Sequence, residues 1–260
     1  LTLVPPDADG RIHAQEIERA LTARTRLVAM THMSNVLGLE QDVAAAGAVC
    51  RRRGVLFLVD AAQTAGHVPL KPGKWGCTML AMPGHKGLLG PHGTGALWVR
   101  NGVTLAPLRQ GGTGSASESM FQPRMMPDSL ESGTLNLPGI AGLDAGMQFA
   151  LAHAREAHET TAALCGMMRE ALQNMTNVRV YTKEGASLLS FNVEGMASQV
   201  VAAALDEQNI AVRGGLHCAP GVHRFLGTLN IGAVRVSPGL MNTAAEAKKL
   251  IDAVWRIAKG

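Results

Sequence analysis

Little in this sequence is aromatic: Phe, Tyr and Trp make up 3% of 260 residues, too few to line a stacking surface for a nucleic-acid strand. Excess charge is also scarce. Lys and Arg exceed Asp and Glu by 24 − 20 = 4, and the one basic run, Arg51-Arg52-Arg53, falls at the expected end of a helix, where cations complement the macrodipole. No nucleic-acid partner is expected. No apolar run approaches the roughly 20 residues that a membrane-spanning helix needs, and the opening "LTLVPPDADG" has neither the basic nor the long apolar stretch of a secretory leader. No membrane partner is expected either. The four cysteines, Cys50, Cys77, Cys165 and Cys218, form no C-x-x-C pair, and a chain of this size does not depend on a disulfide framework. That usage fits a reducing, cytoplasmic setting, with no metal expected. Internal repeats and low-complexity segments are missing as well.

What is present is an ordinary globular composition, 47% hydrophobic, enough to bury a sizeable core in one large domain or two unequal ones. Up to about residue 100, helical patterns ("AQEIERALTA", "QDVAAAGAVCRRR") alternate with short apolar runs ("RLVAMT", "VLFLVD", "CTMLAM", "GALWV"). That alternation predicts an α/β unit whose sheet is buried on both faces. Residues 101–137 are mixed and rich in Gly, Ser, Pro and Met, and read as a long ordered loop region. From Pro138 to about Met175 breakers nearly vanish, so the spacing predicts one long helix or two abutting ones with Pro in the first turn. The remainder shortens into strands "VRVYT", "LLSFNVEG", "IAVRGG" and "AVRVSP", a helix "SQVVAAALDEQ", and a closing helix from about Thr243 to Ala258. This reads as a second, smaller α+β domain.

Two places carry chemistry. Asp60 ends an apolar strand in "FLVDAAQTAG", which puts its carboxylate at the carboxyl edge of a sheet, where open α/β folds bind ligands. It could ligate a metal, cap the next turn, or pair with a protonated ring nitrogen; capping is the plain reading, and Gln63 and a glycine-rich turn around Lys86 weaken it. Lys86 stands in "GHKGLLGPHGTG". A P-loop needs Ser or Thr after its lysine, and Gly87 follows here. "GTGSA" at 112–116 makes no dinucleotide fingerprint, since no clear strand precedes it and no third glycine closes it. Phosphate binding, a solvated loop position and covalent catalysis all remain open for Lys86 from these residues alone, although a turn after a buried strand is a poor place for a solvated lysine.

Taken in order, "HMSNVLG", "VDAAQTAGHVPL", "GHKGLLGPHGTGALWV", "ESGTLNLPGIAGL", "VRGGLHCAP" and "VRVSPGLMNT" resemble the class V aminotransferase family of pyridoxal phosphate (PLP) enzymes, and within it the cysteine desulfurase and selenocysteine lyase branch. The resemblance covers nearly the whole chain. It implies a type I PLP fold, in which a large domain with a mostly parallel, seven-stranded sheet is followed by a small C-terminal domain, in a homodimer. Mapped here, residues 1–140 would be the PLP-binding large domain, 141–175 a connecting long helix, and 176–260 the small domain.

The same resemblance implies roles. Lys86 would form the Schiff base with PLP and take the substrate's Cα proton. Asp60 would keep the pyridine nitrogen protonated, Gln63 would donate to the ring's phenolic oxygen, His85 would hold a phosphate oxygen, and Thr134 would reach the phosphate of the neighbouring subunit. Asn35 and Arg235 would bind the substrate carboxylate, Arg235 through a bidentate fork; Asn35 could instead cap its own turn. An arginine in the otherwise apolar strand around Arg235 is costly unless paired. His32 reads as a positioning residue near a strand end. Cys50, Cys77 and Cys165 read as core thiols, whereas Cys218, in a glycine-containing loop before a helix, matches the sulfur-accepting cysteine. There the helix N-terminus and His217 would lower its pKa; a packing or capping role is the alternative.

The sequence departs from the family pattern in two respects. Pro83 stands where a hydroxyl residue usually binds the phosphate. An N-terminal arm, a Gly-Thr-Thr-like turn and a ring-stacking histidine have no counterpart in the 260 residues, which predicts an incomplete copy of the large domain. The expected activity is conversion of L-cysteine to L-alanine with a persulfide left on Cys218, passed on to a sulfur-acceptor protein. A class V aminotransferase, a selenocysteine lyase and a non-catalytic remnant are the alternatives.

Overall fold

The computed structural model describes residues 1–260. After the short helix α1 (Ala14–Ala20), strand β1 (Leu27–Thr31), helix α2 (Val43–Arg52), strand β2 (Leu56–Asp60), the single turn α3 (Pro72–Trp75) and strands β3 (Met79–Pro83) and β4 (Gly95–Val99) follow in chain order. Strands β1, β2 and β3 run parallel side by side, and β4 closes the sheet antiparallel to β3. Helix α2 begins where Asp42 accepts a hydrogen bond from the Ala45 N–H. It buries Val43, Ala46, Val49 and Cys50 in one core with Phe57 and Val59 of β2 and Leu80 of β3. The expectation of a sheet buried on both faces holds only at its centre. The outer strands β1 and β4 are largely exposed, Leu97 by 48%, because each has a neighbour on one side only. The sheet has four strands, where the family resemblance implied seven.

Parallel pairing has one consequence that matters for function. Thr31 aligns with Asp60 and Asp60 with Ala81, so the carboxyl ends of three strands share one edge. The segments holding Asn35, Gln63 and Lys86 all leave from that edge, the usual ligand crevice of an open parallel sheet.

Residues 100–136 form neither helix nor strand. Helix α4 (Leu137–Gln173) then runs unbroken for 37 residues, started by Asn136, whose side chain accepts from the Gly139 N–H, and by Pro138 in the first turn. No helix of the chain is long and apolar enough to cross a membrane. The closing part is a second sheet built from β5 (Val178–Val180), β6 (Leu189–Val193), β7 (Arg213–Gly215) and β8 (Ala233–Val236), interleaved with α5 (Ser198–Asp206), α6 (Pro220–Leu226) and α7 (Ala244–Lys259). The order is β5-β6-β8-β7, antiparallel throughout. Leu164, Met168 and Leu172 of α4 pack with Phe191, Val201, Val234 and Val254 to form its core. A capping box between Thr243 and Glu246 starts α7. A third, small cluster joins the two sheets: Leu37 and Leu39, from the segment after β1, pack with Tyr181 and Ala233.

Candidate active site

At the edge of the first sheet, the turn after β2 and the turn after β3 are in backbone contact. A Cβ on Gly66 would lie 1.9 Å from the Gly87 carbonyl oxygen, and one on Gly87 would lie 2.3 Å from the Ala65 carbonyl and 2.7 Å from the His67 ring. Only glycine allows this approach. The lysine turn is pinned elsewhere too: Gly84 donates to the Thr94 carbonyl and Gly90 to the Gly84 carbonyl, and Gly146 of α4 would clash with Leu88 and Leu89 if it carried a Cβ. The glycines therefore fix the backbone that carries Lys86 while leaving its side chain exposed. This corrects the expectation that such a turn would hold the lysine away from solvent.

Asp60 is exposed, and one of its oxygens accepts the Ala62 N–H at 2.8 Å, the local capping bond expected of an aspartate at this position. The second oxygen makes no hydrogen bond. His85 is exposed and stacks on His92, with centroids 4.9 Å apart. Thr134 is exposed in the irregular segment before α4. Gln63 is half-buried and lines a cavity of about 260 Å³ together with His67, His158 and the 183–187 loop; Asp60, Lys86, Cys218 and Arg235 do not line it. His32 is buried, with Nδ1 2.9 Å from the Thr64 hydroxyl, and burial pushes its pKa down, opposed by nearby Glu40.

The second cluster is tighter and crosses between the two sheets. Asn35 does not cap its own turn; Ser34 does that, accepting from the Val36 and Leu37 N–H groups. The Asn35 amide instead donates to the His217 carbonyl at 2.5 Å, and the Asn35 carbonyl accepts from Arg235 Nη1 at 3.2 Å. Arg235 Nε is buried without a hydrogen-bond partner. Burial and then Arg213 push the Arg235 pKa down, while nearby Cys218 works the other way. Arg213 stands directly opposite Arg235 in the β7–β8 register. Cys218 is exposed, and the other three cysteines are buried, with their thiols pushed up by desolvation to about 11 for Cys50 and Cys77 and about 12 for Cys165. An exposed thiol near the Arg235 guanidinium, which has a donor to spare, can bind a small carboxylate and offer it a nucleophile.

One expectation fails here. His217 was expected to help lower the Cys218 pKa, which a histidine does by charge only when its ring is protonated. The residue is 3% exposed, Nε2 donates to the Ala233 carbonyl at 2.9 Å, and burial, reinforced by Arg235, Arg213 and His223, lowers its pKa to about 4. It is neutral at neutral pH. Sequence reasoning passed over Arg213, although it opens the "RGGLHC" stretch whose cysteine was singled out, and passed over the anchoring of His217, for which no local signal exists.

The class-V aminotransferase family model matches residues 1–250. The chain is 35% identical over 274 aligned residues to a Methanothermobacter thermautotrophicus protein named "Probable cysteine desulfurase", covering 98% of this chain and 66% of that one. Its structure is similar to that of a cysteine desulfurase from Thermococcus onnurineus (TM-score 0.87, 30% identity, all of this chain and 66% of the other). It is also similar to a cysteine desulfurase from Escherichia coli in an S-sulfonic acid form (TM-score 0.91, 28% identity, 98% and 65%). The chain spans less than two thirds of the length of the curated relatives it matches, 66%, 64% and 61% of three of them. A mostly parallel sheet with its lysine turn at one edge, a hydrogen-bonded junction to a small antiparallel sheet, and a family match over nearly every residue agree: this chain belongs to the class-V aminotransferase family.

Proposed function

We propose that this chain carries the lysine and thiol parts of a PLP-dependent cysteine desulfurase, converting L-cysteine to L-alanine and storing the sulfur as a persulfide on Cys218. The observation that carries the reading is the junction of Asn35, Arg235 and Cys218 across the two sheets: one guanidinium with an unpartnered buried Nε, and near it the chain's one exposed thiol.

The donor set fits PLP at its ring and carbonyl ends. Lys86 offers a primary amine on a fixed backbone, and Asp60 offers a carboxylate oxygen free of other hydrogen bonds. At the phosphate end the fit is thinner. Pro83 brings no donor, and in this chain His85 and Thr134 are the groups that would hold the phosphate, Thr134 from a neighbouring subunit. When bound, PLP supplies an electron sink that acidifies the substrate's Cα–H. Asp60 would hold a proton at the ring nitrogen and Lys86 Nζ would take the Cα proton, while Gln63, which lines the neighbouring cavity, would have to turn towards the ring to donate to its phenolic oxygen. Arg235 and Asn35 orient the substrate carboxylate. The Cys218 thiolate attacks the substrate sulfur: a sulfur–sulfur bond forms and the substrate's Cβ–S bond breaks, with the electron pair remaining on the carbon skeleton that leaves as alanine. Enzyme thiol plus cysteine gives enzyme persulfide plus alanine, so no external reductant is involved. A homodimer, a sulfur-acceptor protein and a cytoplasmic setting complete the proposal.

A second reading, a non-catalytic remnant that binds PLP weakly or not at all, is favoured by the exposure of both Lys86 and Asp60 and by the partial coverage of the relatives. Two measurements decide. A visible absorption band on adding PLP that is lost in Lys86→Ala supports cofactor binding, and its absence in the wild type supports the remnant. Alanine release from L-cysteine, measured in Cys218→Ser with PLP content matched to wild type, should fall strongly, because a hydroxyl is a poor nucleophile at neutral pH and cannot hold a persulfide. Equal rates would remove the desulfurase reading and leave the aminotransferase and selenocysteine lyase activities of the same fold.

A further inference from the structure

The Cys218 side chain makes no hydrogen bond of its own, so its direction is set by the backbone that carries it. That backbone is unusual. The Ala219 N–H donates to the Leu216 carbonyl at 2.8 Å, closing a tight turn whose two central residues, His217 (φ 53) and Cys218 (φ 59), are both in the left-handed region. Turns of this kind favour Asn, Asp and Gly at their centre. A His-Cys pair there persists only where the surroundings over-determine it.

We propose that His217 is the positioning residue for Cys218: its buried ring, tied through Nε2 to the Ala233 carbonyl of β8, locks the left-handed turn so that the thiol faces the Arg235 guanidinium. The proposal rests on the reading of Cys218 as the sulfur acceptor. Two anchors hold His217 and a third holds the strand that leads into its turn. Its ring is held by the strand that carries Arg235 two residues further on. Its carbonyl accepts the Asn35 amide, and the Asn35 carbonyl in turn accepts from Arg235. The strand entering the turn ends at Gly215 (φ 121), so close to Gly232 that a Cβ on Gly232 would lie 2.7 Å from the Gly215 carbonyl. The circuit His217–Ala233–Arg235–Asn35–His217 thus closes through hydrogen bonds and one short piece of strand. Because the ring's partner is a carbonyl, Nε2 carries the hydrogen, and Nδ1 is buried without a partner. A ring buried and neutral in this way neither attracts the thiolate by charge nor reaches solvent as a base. What remains for it is orientation.

The test is chemical selectivity at Cys218 in the 260-residue chain, with no cofactor or turnover involved. A thiol held beside Arg235 reacts with anionic iodoacetate faster, relative to neutral iodoacetamide, than one that has swung away. His217→Phe keeps a ring of similar size and removes the donor; His217→Gln keeps a donor at comparable reach. The iodoacetate-to-iodoacetamide rate ratio should fall by at least about threefold in His217→Phe, as expected when a partly solvated charge contact is lost, and recover in His217→Gln, with circular dichroism unchanged in both. An unchanged ratio in folded His217→Phe overturns the proposal. Should His217→Phe fail to fold, histidine ¹⁵N spectra of the wild-type chain decide: one Nε2–H tautomer persisting from about pH 8 to about pH 5 supports the lock, and a ring that titrates near the ordinary histidine value overturns it. Failure of the desulfurase reading shows separately, as unchanged alanine release in Cys218→Ser, and does not move this ratio.

Discussion

Three glycines that flank the first sheet separate two physical costs, and the structure sets the size of each. Gly54, just past the end of α2, has φ +64 and open space around it; Gly47, inside α2, has an ordinary helical backbone, but a Cβ there would lie 1.7 Å from the Trp75 carbonyl oxygen; Gly66 has φ +83 and a would-be contact of 1.9 Å with the Gly87 carbonyl. Gly54→Ala meets only the left-handed backbone cost, about 1 kcal/mol. Gly47→Ala gains about 1 kcal/mol of helix propensity but must push α2 off the 72–75 turn, an overpacking cost of roughly 1–3 kcal/mol or more, so it destabilises on balance or comes close to neutral. Gly66→Ala meets both backbone strain and overpacking, about 2–5 kcal/mol in total, and it also displaces the turn that carries Lys86. Urea unfolding followed by tryptophan fluorescence tests the order, since Trp75 and Trp98 report on this sheet. The expected ranking puts Gly66→Ala as most destabilising. Equal losses for Gly54→Ala and Gly66→Ala would refute the claim that the two turns at the sheet edge are locked by backbone contact.

Three further outcomes follow from the same geometry. In the native chain one thiol, Cys218, should react quickly with iodoacetamide at neutral pH, and mass spectrometry should find Cys50, Cys77 and Cys165 unlabelled until the chain unfolds, because all three are buried with raised pKa values. Stability should fall on acidification from about pH 6.5 to about pH 4. The folded pKa of His217 is depressed to about 4, so within this window the unfolded chain binds the proton first and stability rises with pH. His32, His67 and His223, also depressed by burial, act in the same direction, and His217→Gln should flatten the slope of unfolding free energy against pH by up to about 3 kcal/mol across the window. Arg235→Lys, in the PLP-loaded enzyme, should raise KM for L-cysteine far more than it lowers the melting temperature, because a point charge replaces a planar fork at a carboxylate; an unchanged KM would make Arg235 a structural residue of the small sheet.

Much of the architecture was legible because it is local. The apolar run ending at Asp60 and the glycines around Lys86 mark a strand end and a turn whatever surrounds them. Pro138 with a breaker-free stretch marks the start of α4, and Thr243 with Glu246 marks the start of α7. Six motifs in a fixed order are what made the family readable, and the family match over residues 1–250 agrees with them.

What local sequence could not decide is which groups meet and in what state. Asn35 finds the His217 carbonyl 182 positions away because Leu37 and Leu39 pack against the second sheet, a contact between two units whose separate patterns say nothing of each other. Exposure of β1 and β4 depends on their outer positions in the sheet, and their apolar composition alone suggested burial. Gln63 lines a cavity with the 183–187 loop, more than a hundred positions on, and Lys86 does not line it. His217 reads in sequence as a cation next to a cysteine. Its burial against Ala233 makes it neutral, since desolvation of an imidazolium outweighs one hydrogen bond to a carbonyl. Residue types and their order determined the fold family and the candidate chemistry of this protein. Only tertiary structure decided the burial, partners and protonation of those same residues, because these depend on contacts between segments far apart in the chain.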